Sequence, residues 1–155
     1  MPLYLIRHAH AGSRGAWEGP DFERPLSVKG TDQTDALTRA LAAEDITRVL
    51  SSAAVRCQQT VGPIARTRGL EVEVHDALTE GATAAETTTL LWKLAAAGTT
   101  AALSSHGDVI PNAIDALATD GVEVTDRRGL PKGTYYVLDV EDGAITAARF
   151  VDPRP

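Results

Sequence analysis

The sequence predicts an α/β fold, a three-layer α/β/α sandwich with a mostly parallel central sheet and a C-terminal hairpin. Short apolar runs of strand-forming residues alternate along the chain with segments whose apolar residues recur at helical spacing. Strands that alternate with helices form parallel sheets covered on both faces. The end of the chain differs, since two strand-like runs over residues 134–140 and 144–150 are separated only by a turn at 141–143.

The first strand begins at Leu3 and runs into Arg7 and His8, where the apolar pattern stops. In an open α/β sheet, ligands bind just beyond the carboxyl ends of the strands. The loop that follows, residues 9–26, is long and contains several glycines and prolines. Loops of this length in compact domains are often functional, so this one either covers a site or is a packed surface loop.

The next elements are a helix over residues 28–43, with Ser27 as its N-cap, and a strand over residues 47–51. Ser52 is placed to cap the helix that follows this strand. Pro63 lies inside that helix and cannot donate a backbone hydrogen bond. We therefore expect the helix to kink or restart there.

A short strand is predicted over residues 71–74, and residues 83–86 form a capping box at the start of another helix. Gly98 is a suitable stop for that helix. A buried strand over residues 100–104 leads into the last helix, for which Asp108 is the candidate N-cap.

The bulk composition predicts a single domain over residues 1–155 that is cytoplasmic. Its hydrophobic content of 43% and charged content of 23% are ordinary for a globular protein. The net charge of −6 argues against a nucleic-acid-binding protein, and no apolar run is long enough for a signal peptide or a membrane span. Cys57 is the only cysteine, so no internal disulfide can form.

Polar residues with phosphate-binding chemistry recur where predicted strands give way to helices. Arg7 and His8 follow the first strand, Arg56 follows the second, and His106 and Gly107 follow the strand at 100–104. If these strands are parallel neighbours, their ends meet in one pocket with two arginines and two histidines. Arginine forks match phosphate oxygens, and a neutral imidazole can attack phosphorus.

These positions also carry a family resemblance that covers nearly the whole chain. Residues 7–9, Arg-His-Ala, resemble the Arg-His-Gly signature of the histidine phosphatase superfamily, also called phosphoglycerate-mutase-like. Residues 51–60 resemble its second block and residues 105–107 its third. Residues 21–26 followed by Gly30 are similar to the short SixA-type branch, which contains phosphohistidine phosphatases. The chain also resembles the phosphatase domain that follows a Nudix domain in some larger proteins, although its own 155 residues contain no Nudix segment.

The resemblance implies a role for each matching position. His8 would be the nucleophile that becomes phosphorylated, and Glu80 would stand where many members place a proton donor. The phosphoryl group would be held by Arg7, Arg56, His106 and Gly107. The implied substrate is a phosphorylated small molecule or a phosphohistidine protein, and no cofactor or metal is expected. Neither nucleic acid nor membrane is an expected partner.

Two alternatives stay open from the residues alone. One is a metal-dependent hydrolase, because His8, His10, His106 and Asp108 include ligand-like pairs. Arginines beside the cation would disfavour that arrangement. The other alternative is a non-catalytic phosphate-binding module on the same fold.

A basic cluster closes the second long loop, residues 119–133. It consists of Arg127, Arg128 and Lys132. These side chains either bind the tail of a substrate or form a solvated basic patch, and the patch is the simpler interpretation.

Overall fold

The computed structural model describes residues 1–127 and 129–154. Within these residues a seven-stranded sheet is combined with four α-helices. In chain order they are β1 (Leu3–Arg7), α1 (Val28–Ala40), β2 (Arg48–Ser51), α2 (Val55–Arg66), β3 (Val72–Val74), α3 (Ala84–Ala96), β4 (Ala101–Ser105), α4 (Val109–Thr119), β5 (Glu123–Thr125), β6 (Tyr135–Glu141) and β7 (Ala144–Val151). Short 3₁₀ turns lie at Arg14–Ala16, Asp21–Glu23 and Asp76–Leu78.

The strand order is β3-β2-β4-β1-β6-β7-β5. Strands β3, β2, β4 and β1 are parallel, and β6 is antiparallel to both β1 and β7. The sheet is thus mostly parallel and ends in a hairpin, which confirms the predicted fold class. Because β1, β4 and β2 are neighbours, the polar residues that follow them come to one edge.

The core lies on both faces of this sheet. Residues of β1 alternate between the faces, as the period of a strand requires: Leu3 and Leu5 pack with α3 and α4, and Tyr4 and Ile6 pack with α1 and α2. Both faces of β1 are therefore covered by packed apolar side chains, and the strand is a rigid support for the residues at its end. None of the helices in the described ranges is long and apolar enough to cross a membrane.

The start of α1 is fixed by its cap and by a close approach to the preceding loop. Ser27 caps the helix as predicted, since its hydroxyl accepts a hydrogen bond from the Gly30 amide at 3.1 Å. A Cβ atom on Gly30 would lie 1.9 Å from the carbonyl oxygen of His10. The helix can pack this close to the His8–His10 backbone only because position 30 is glycine. Its end, Ala40, comes earlier than the predicted residue 43.

Both predicted ends of α3 are confirmed. The capping box has its two reciprocal bonds, between the Thr83 side chain and the Glu86 amide and between the Glu86 side chain and the Thr83 amide. Gly98 has φ of 69°, and its amide bonds Ala95 O while the Thr99 amide bonds Leu94 O. These two bonds form a Schellman motif.

Of the two other predicted caps, the one at Ser52 was wrong, and the one at Asp108 stands at the predicted residue without a side-chain bond to its own helix. The N-cap of α2 is Ala54, without a side-chain bond, and the Ser52 hydroxyl bonds the ring of His106 instead. Asp108 is the N-cap residue of α4, but its carboxylate accepts the amide of Gly81 rather than an amide of its own helix. The Ser52 hydroxyl also accepts the Ala54 amide at 3.2 Å, so it combines a local bond with a long-range one, whereas the Asp108 carboxylate bonds across the fold.

Two further expectations need correction. Helix α2 does not restart at Pro63 but is continuous from Val55 to Arg66. The loop at 119–133 contains a strand, β5, which pairs in parallel with β7 at the sheet edge. The C-terminal hairpin is confirmed, and its turn is formed by Asp142 and Gly143 with φ of 51° and 79°, the signs of a type I′ turn.

Candidate active site

The polar residues at the ends of β1, β2 and β4 converge on one cavity of about 370 Å³. All five residues singled out at these strand ends lie in its wall, and Glu80 joins them. The lining residues are Arg7, His8, Gly12, Arg14, Arg24, Arg56, Glu80, His106, Gly107, Asp108 and Lys132. The residues that the sequence predicted to share a pocket therefore line one cavity. Arginine is the most frequent residue type in its wall.

His8 presents a neutral imidazole to this cavity. Its Nδ1 lies 2.8 Å from the carbonyl oxygen of Ala9. A carbonyl can only accept, so Nδ1 carries the proton and Nε2 keeps its lone pair. Burial lowers the pKa of His8 to about 3, and the positive charges of Arg56 and Arg7 act in the same direction. The ring therefore remains uncharged at neutral pH, as a nucleophile requires.

The main chain around His8 is held on two sides. The His8 amide donates to Ser105 O at 3.0 Å, which ties it to β4. The Ala9 amide donates to the Thr60 hydroxyl at 2.9 Å, and that hydroxyl donates to Arg56 O within α2. Thr60 thus connects the nucleophile candidate to the helix that carries Arg56.

His106 lies against His8, with ring centroids 5.4 Å apart. Its Nε2 is 2.8 Å from the Ser52 hydroxyl and 3.5 Å from Cys57 Sγ. Burial, together with the charge of Arg56, lowers the pKa of His106. Burial also raises the pKa of Cys57 to about 12, so this side chain is a buried thiol rather than a thiolate nucleophile.

Arg7 is fixed by the backbone on either side of its guanidinium. Nη1 donates to Leu130 O at 2.7 Å. The group lies directly over Gly107, where a Cβ atom would be 2.7 Å from Arg7 Cζ. Glycine at 107 is thus what allows Arg7 its position. Among the described residues, the buried Nε of Arg7 has no hydrogen-bond partner.

Arg56 is the most deeply buried of the arginines, with 1% of its surface exposed. Its Nη1 donates to Asp21 O at 2.9 Å, and its Nη2 lies 3.1 Å from Asp21 Oδ2 and 3.3 Å from Glu80 Oε2. Its buried Nε, like that of Arg7, finds no partner in residues 1–127 and 129–154. Buried donors are normally bonded, so these two orphaned N–H groups indicate an anion site.

Asp21 is a site residue that the sequence analysis did not identify. Its carboxylate lies 3.2 Å from Arg14 Nε, 3.1 Å from Arg24 Nε and 3.1 Å from Arg56 Nη2. Burial alone would raise the pKa of Asp21, but the bond from Arg24 and the charges of Arg56 and Arg14 hold that pKa below its usual value. The contacts with Arg14 and Arg24 lie within the loop at 9–26, whereas the contact with Arg56 joins segments 35 residues apart.

Of the two alternatives for the loop at 9–26, the structure favours the functional one, since the loop forms part of the cavity wall. Gly12, Arg14 and Arg24 line the cavity. Arg24 donates to Ala11 O at 2.8 Å and to Gly12 O at 3.2 Å, so it holds the loop backbone together. Asp21 then joins the loop to Arg56.

Two carboxylates face the cavity. Glu80 pairs with Arg14 at 3.2 Å and with Arg56 at 3.3 Å, and 46% of its side chain is exposed. Asp108 lines the same cavity and accepts the amide of Gly81 at 3.0 Å. The structure thus places the predicted donor in the cavity wall, and it adds a second acid there.

The metal-ligand set of the alternative hypothesis is not brought together. His10 is not a lining residue, and its Nδ1 lies 2.6 Å from the Ser27 hydroxyl at the start of α1. No group of three or more His, Cys, Asp and Glu side chains with metal-binding geometry exists within the described part of the chain. His8, His106 and Asp108 remain in the cavity without His10.

The basic cluster of the second loop separates into different environments. Lys132 lines the cavity, so it is not part of a solvated patch. Arg127 pairs with Asp115 of α4. Arg128 lies outside the described residues.

Comparisons with known proteins agree with this geometry. The family model of the histidine phosphatase superfamily (branch 1) matches residues 3–90. An 8-oxo-(d)GTP phosphatase from Mycolicibacterium smegmatis is 30% identical over 154 residues, which are 97% of this chain and 48% of that protein. The chain thus spans about half the length of that curated relative.

Two solved structures share the fold. One, from Agrobacterium tumefaciens, is named as a candidate SixA phosphohistidine phosphatase; it is 25% identical, covers 97% of this chain and 96% of its own, and has a TM-score of 0.71. The other, a mycobacterial glucosyl-3-phosphoglycerate phosphatase, is 17% identical, covers 96% of each chain and has a TM-score of 0.73. With the family model matching more than half of its residues, the chain belongs to the histidine phosphatase superfamily, branch 1, and it is similar to the SixA-type proteins.

Proposed function

We propose that the chain is a phosphatase that hydrolyses a phosphomonoester or a phosphohistidine through a covalent phosphohistidine on His8. The observation that carries the proposal is the state of His8. Its Nδ1 is committed to Ala9 O, and its ring is kept neutral by burial. A lone pair on Nε2 is therefore available in a cavity where Arg7 and Arg56 each have a buried Nε–H without a partner among the described residues.

The reaction has two displacements. In the first, Nε2 of His8 bonds to phosphorus, the bond from phosphorus to the leaving group breaks, and the leaving group takes a proton from an acid in the cavity. In the second, water bonds to phosphorus and gives a proton back to that acid, the P–N bond breaks, and inorganic phosphate and free His8 result. Arg7, Arg56 and His106 stabilise the charge on the phosphoryl oxygens in both steps.

The substrate belongs to the proposal as well. The M. smegmatis relative is named for 8-oxo-(d)GTP, and one structural neighbour is named for glucosyl-3-phosphoglycerate. These compounds and phosphohistidine differ in everything except the phosphoryl group. Their shared feature supports a phosphoryl-transfer centre, while the walls of the cavity select the rest of the substrate.

The test is to trap the phosphoenzyme. Brief reaction with a ³²P-labelled substrate, followed by alkaline denaturation, should leave label on the wild-type protein. The label should be lost in acid because phosphohistidine is acid-labile. His8→Asn should carry no label and show no turnover, and the matched control His10→Asn should behave as wild type. An acid-stable label, or full activity of His8→Asn, would contradict the proposal.

The same preparation decides between the alternatives. Vanadate binding without any turnover of a phosphometabolite panel would favour the non-catalytic phosphate-binding module. Loss of activity on chelation and rescue by zinc or manganese would favour the metal-dependent hydrolase. We expect activity to survive exhaustive chelation, because arginines supply the positive charge that a metal would otherwise bring.

A further inference from the structure

Lys132 is a cation in the cavity wall that the phosphoryl chemistry does not use, and it differs from the lining arginines in its partners. Each of the four lining arginines has a bonded partner: a carbonyl for Arg7 and carboxylates for the other three. Lys132 has no ion pair or hydrogen bond with any residue in the described ranges. It is half-buried, so its ammonium is also partly removed from water.

The charges around Lys132 are positive. Burial lowers its pKa, and repulsion from Arg7, Arg24, Arg56 and Lys29 lowers it further. A cation held among cations costs free energy unless an anion joins them. Within the described chain no anion pairs with the Lys132 ammonium, so an anionic group of a ligand would stabilise its positive charge.

The backbone holds Lys132 in a fixed relation to the nucleophile. The amide of Gly133 donates to Arg7 O at 3.2 Å and lies 3.3 Å from His8 O. On the other side, the Arg7 amide donates to Thr134 O at 3.0 Å, and the Arg7 side chain bonds Leu130 O. The turn that carries Lys132 is thus tied to β1, and its side chain extends into the cavity wall from a fixed backbone position.

The cavity also has room for more than a phosphoryl group. Its volume of about 370 Å³ lies within the range of small-molecule pockets. Arg7 and Arg56 provide the orphaned donors for the transferred phosphoryl group. The positive charge of Lys132 is therefore available to bind a neighbouring group of the substrate.

We propose that Lys132 binds a second anionic group of the substrate, a carboxylate or a phosphate, next to the transferred phosphoryl group. The proposal rests on the proposed function, since it assumes that the phosphoryl group lies at Arg7, Arg56 and His8. It narrows the substrate class to phosphate esters or anhydrides that carry a second negative charge close to the reacting phosphorus.

Non-hydrolysable phosphonates test the subsite without turnover. Calorimetric titration compares methylphosphonate, which has one anionic group, with phosphonoacetate and methylenediphosphonate, which add a carboxylate or a second phosphonate. The wild type should bind at least one of the doubly anionic probes about ten-fold more tightly or better, as expected for a bond to a charged group. The preferred probe shows whether the second group is a carboxylate or a phosphate.

Three variants assign the effect to Lys132. Lys132→Gln should remove the advantage of the doubly anionic probe and leave methylphosphonate affinity within about two-fold, since only the second contact of about ten-fold or more is lost. Lys132→Arg should retain the advantage. Lys29→Gln, which removes an exposed lysine outside the cavity wall, should bind all three probes as the wild type does.

The outcomes separate this proposal from the proposed function. Equal binding of the three probes by the wild type, no binding of any probe, or an equal loss for all probes in Lys132→Gln would overturn the subsite. The phosphoenzyme experiment is independent of these titrations. If a phosphoenzyme forms but the three probes bind equally, the proposed function stands and the subsite is wrong. If the doubly anionic probe binds more tightly but no phosphoenzyme forms, the anion subsite stands and the protein has a different activity.

Discussion

Arg7 and Arg56 differ in how many of their donors are already occupied. Arg7 uses Nη1 on a backbone carbonyl, whereas Arg56 uses both terminal nitrogens on Asp21 and Glu80. Both retain a buried Nε–H without a partner in the described chain. Their orientation is therefore set by protein contacts before any substrate binds, which is the preorganisation that stabilises developing charge.

Glu80 and Asp108 are the two candidate acids of the cavity wall for the proposed protonation of the leaving group. Glu80→Gln should slow an alkyl phosphate strongly, because its alkoxide leaving group needs a proton. It should slow p-nitrophenyl phosphate much less, because nitrophenolate departs unprotonated. Steady-state kcat/KM on the two substrates measures the difference.

Asp108→Asn is the matched control, since the amide oxygen can still accept the Gly81 amide that Asp108 binds. If Asp108→Asn shows the substrate-dependent loss and Glu80→Gln does not, Asp108 is the donor. Equal loss on both substrates would give the residue concerned a structural role. The two contacts of Glu80 with Arg14 and Arg56 make such a structural contribution measurable.

At the scale of elements, the packing of α1 depends on the missing side chain at position 30. Gly30→Ala would place a Cβ atom 1.9 Å from His10 O, a main-chain atom that cannot rotate away. Despite the better helix propensity of alanine, we expect a loss of about 1–3 kcal/mol in the free energy of unfolding from overpacking. Urea denaturation measures it.

Gly15→Ala provides the comparison for this variant. The nearest atom to a Cβ there is Ser13 Oγ at 3.7 Å, an ordinary contact. Its free energy of unfolding should stay close to that of the wild type. A Gly30→Ala protein as stable as Gly15→Ala would show that α1 shifts at no cost and that its contact with the His8–His10 backbone is not tight.

At the scale of the whole molecule, the buried histidines make stability depend on pH. Burial lowers the folded-state pKa of His8 to about 3 and also lowers that of His106, both below the value of about 6.5 expected in the unfolded chain. Below that pH the unfolded chain takes up protons that the folded one does not. Stability should thus be full above pH 6.5 and fall toward pH 3, by up to about 1.4 kcal/mol per unit for each histidine.

Urea denaturation at pH 7.5 and pH 5.5 measures this slope. His8→Asn removes one of the two titrating rings, and the asparagine amide can still donate to Ala9 O. Its stability should therefore fall less than that of the wild type over the same interval. Identical slopes for the two proteins would mean that His8 is protonated in the folded state within this range.

The sequence predicted the parallel half of the sheet because its strands are apolar runs separated by clear helix signals. It also predicted that Arg7, His8, Arg56 and His106 share a pocket, because parallel neighbours bring their carboxyl ends together. Strand β5 was missed, since Glu123–Thr125 has only three residues and little apolar character. Asp21 was missed because its contact with Arg56, which brings it to the site, joins segments 35 residues apart. Ser52 and Asp108 were given local caps when each has a partner across the fold.

The tied turn at residues 130–134 has a consequence for how this scaffold changes over evolution. Hydrogen bonds from main-chain atoms hold the turn to β1, so they persist whatever side chain stands at position 132. A substitution there alters the charge and length of one wall and leaves the backbone of His8 in place. With the proposed subsite at Lys132, selectivity for the remote part of a substrate would diverge in single steps, without passing through forms in which the proposed phosphoryl-transfer centre is lost.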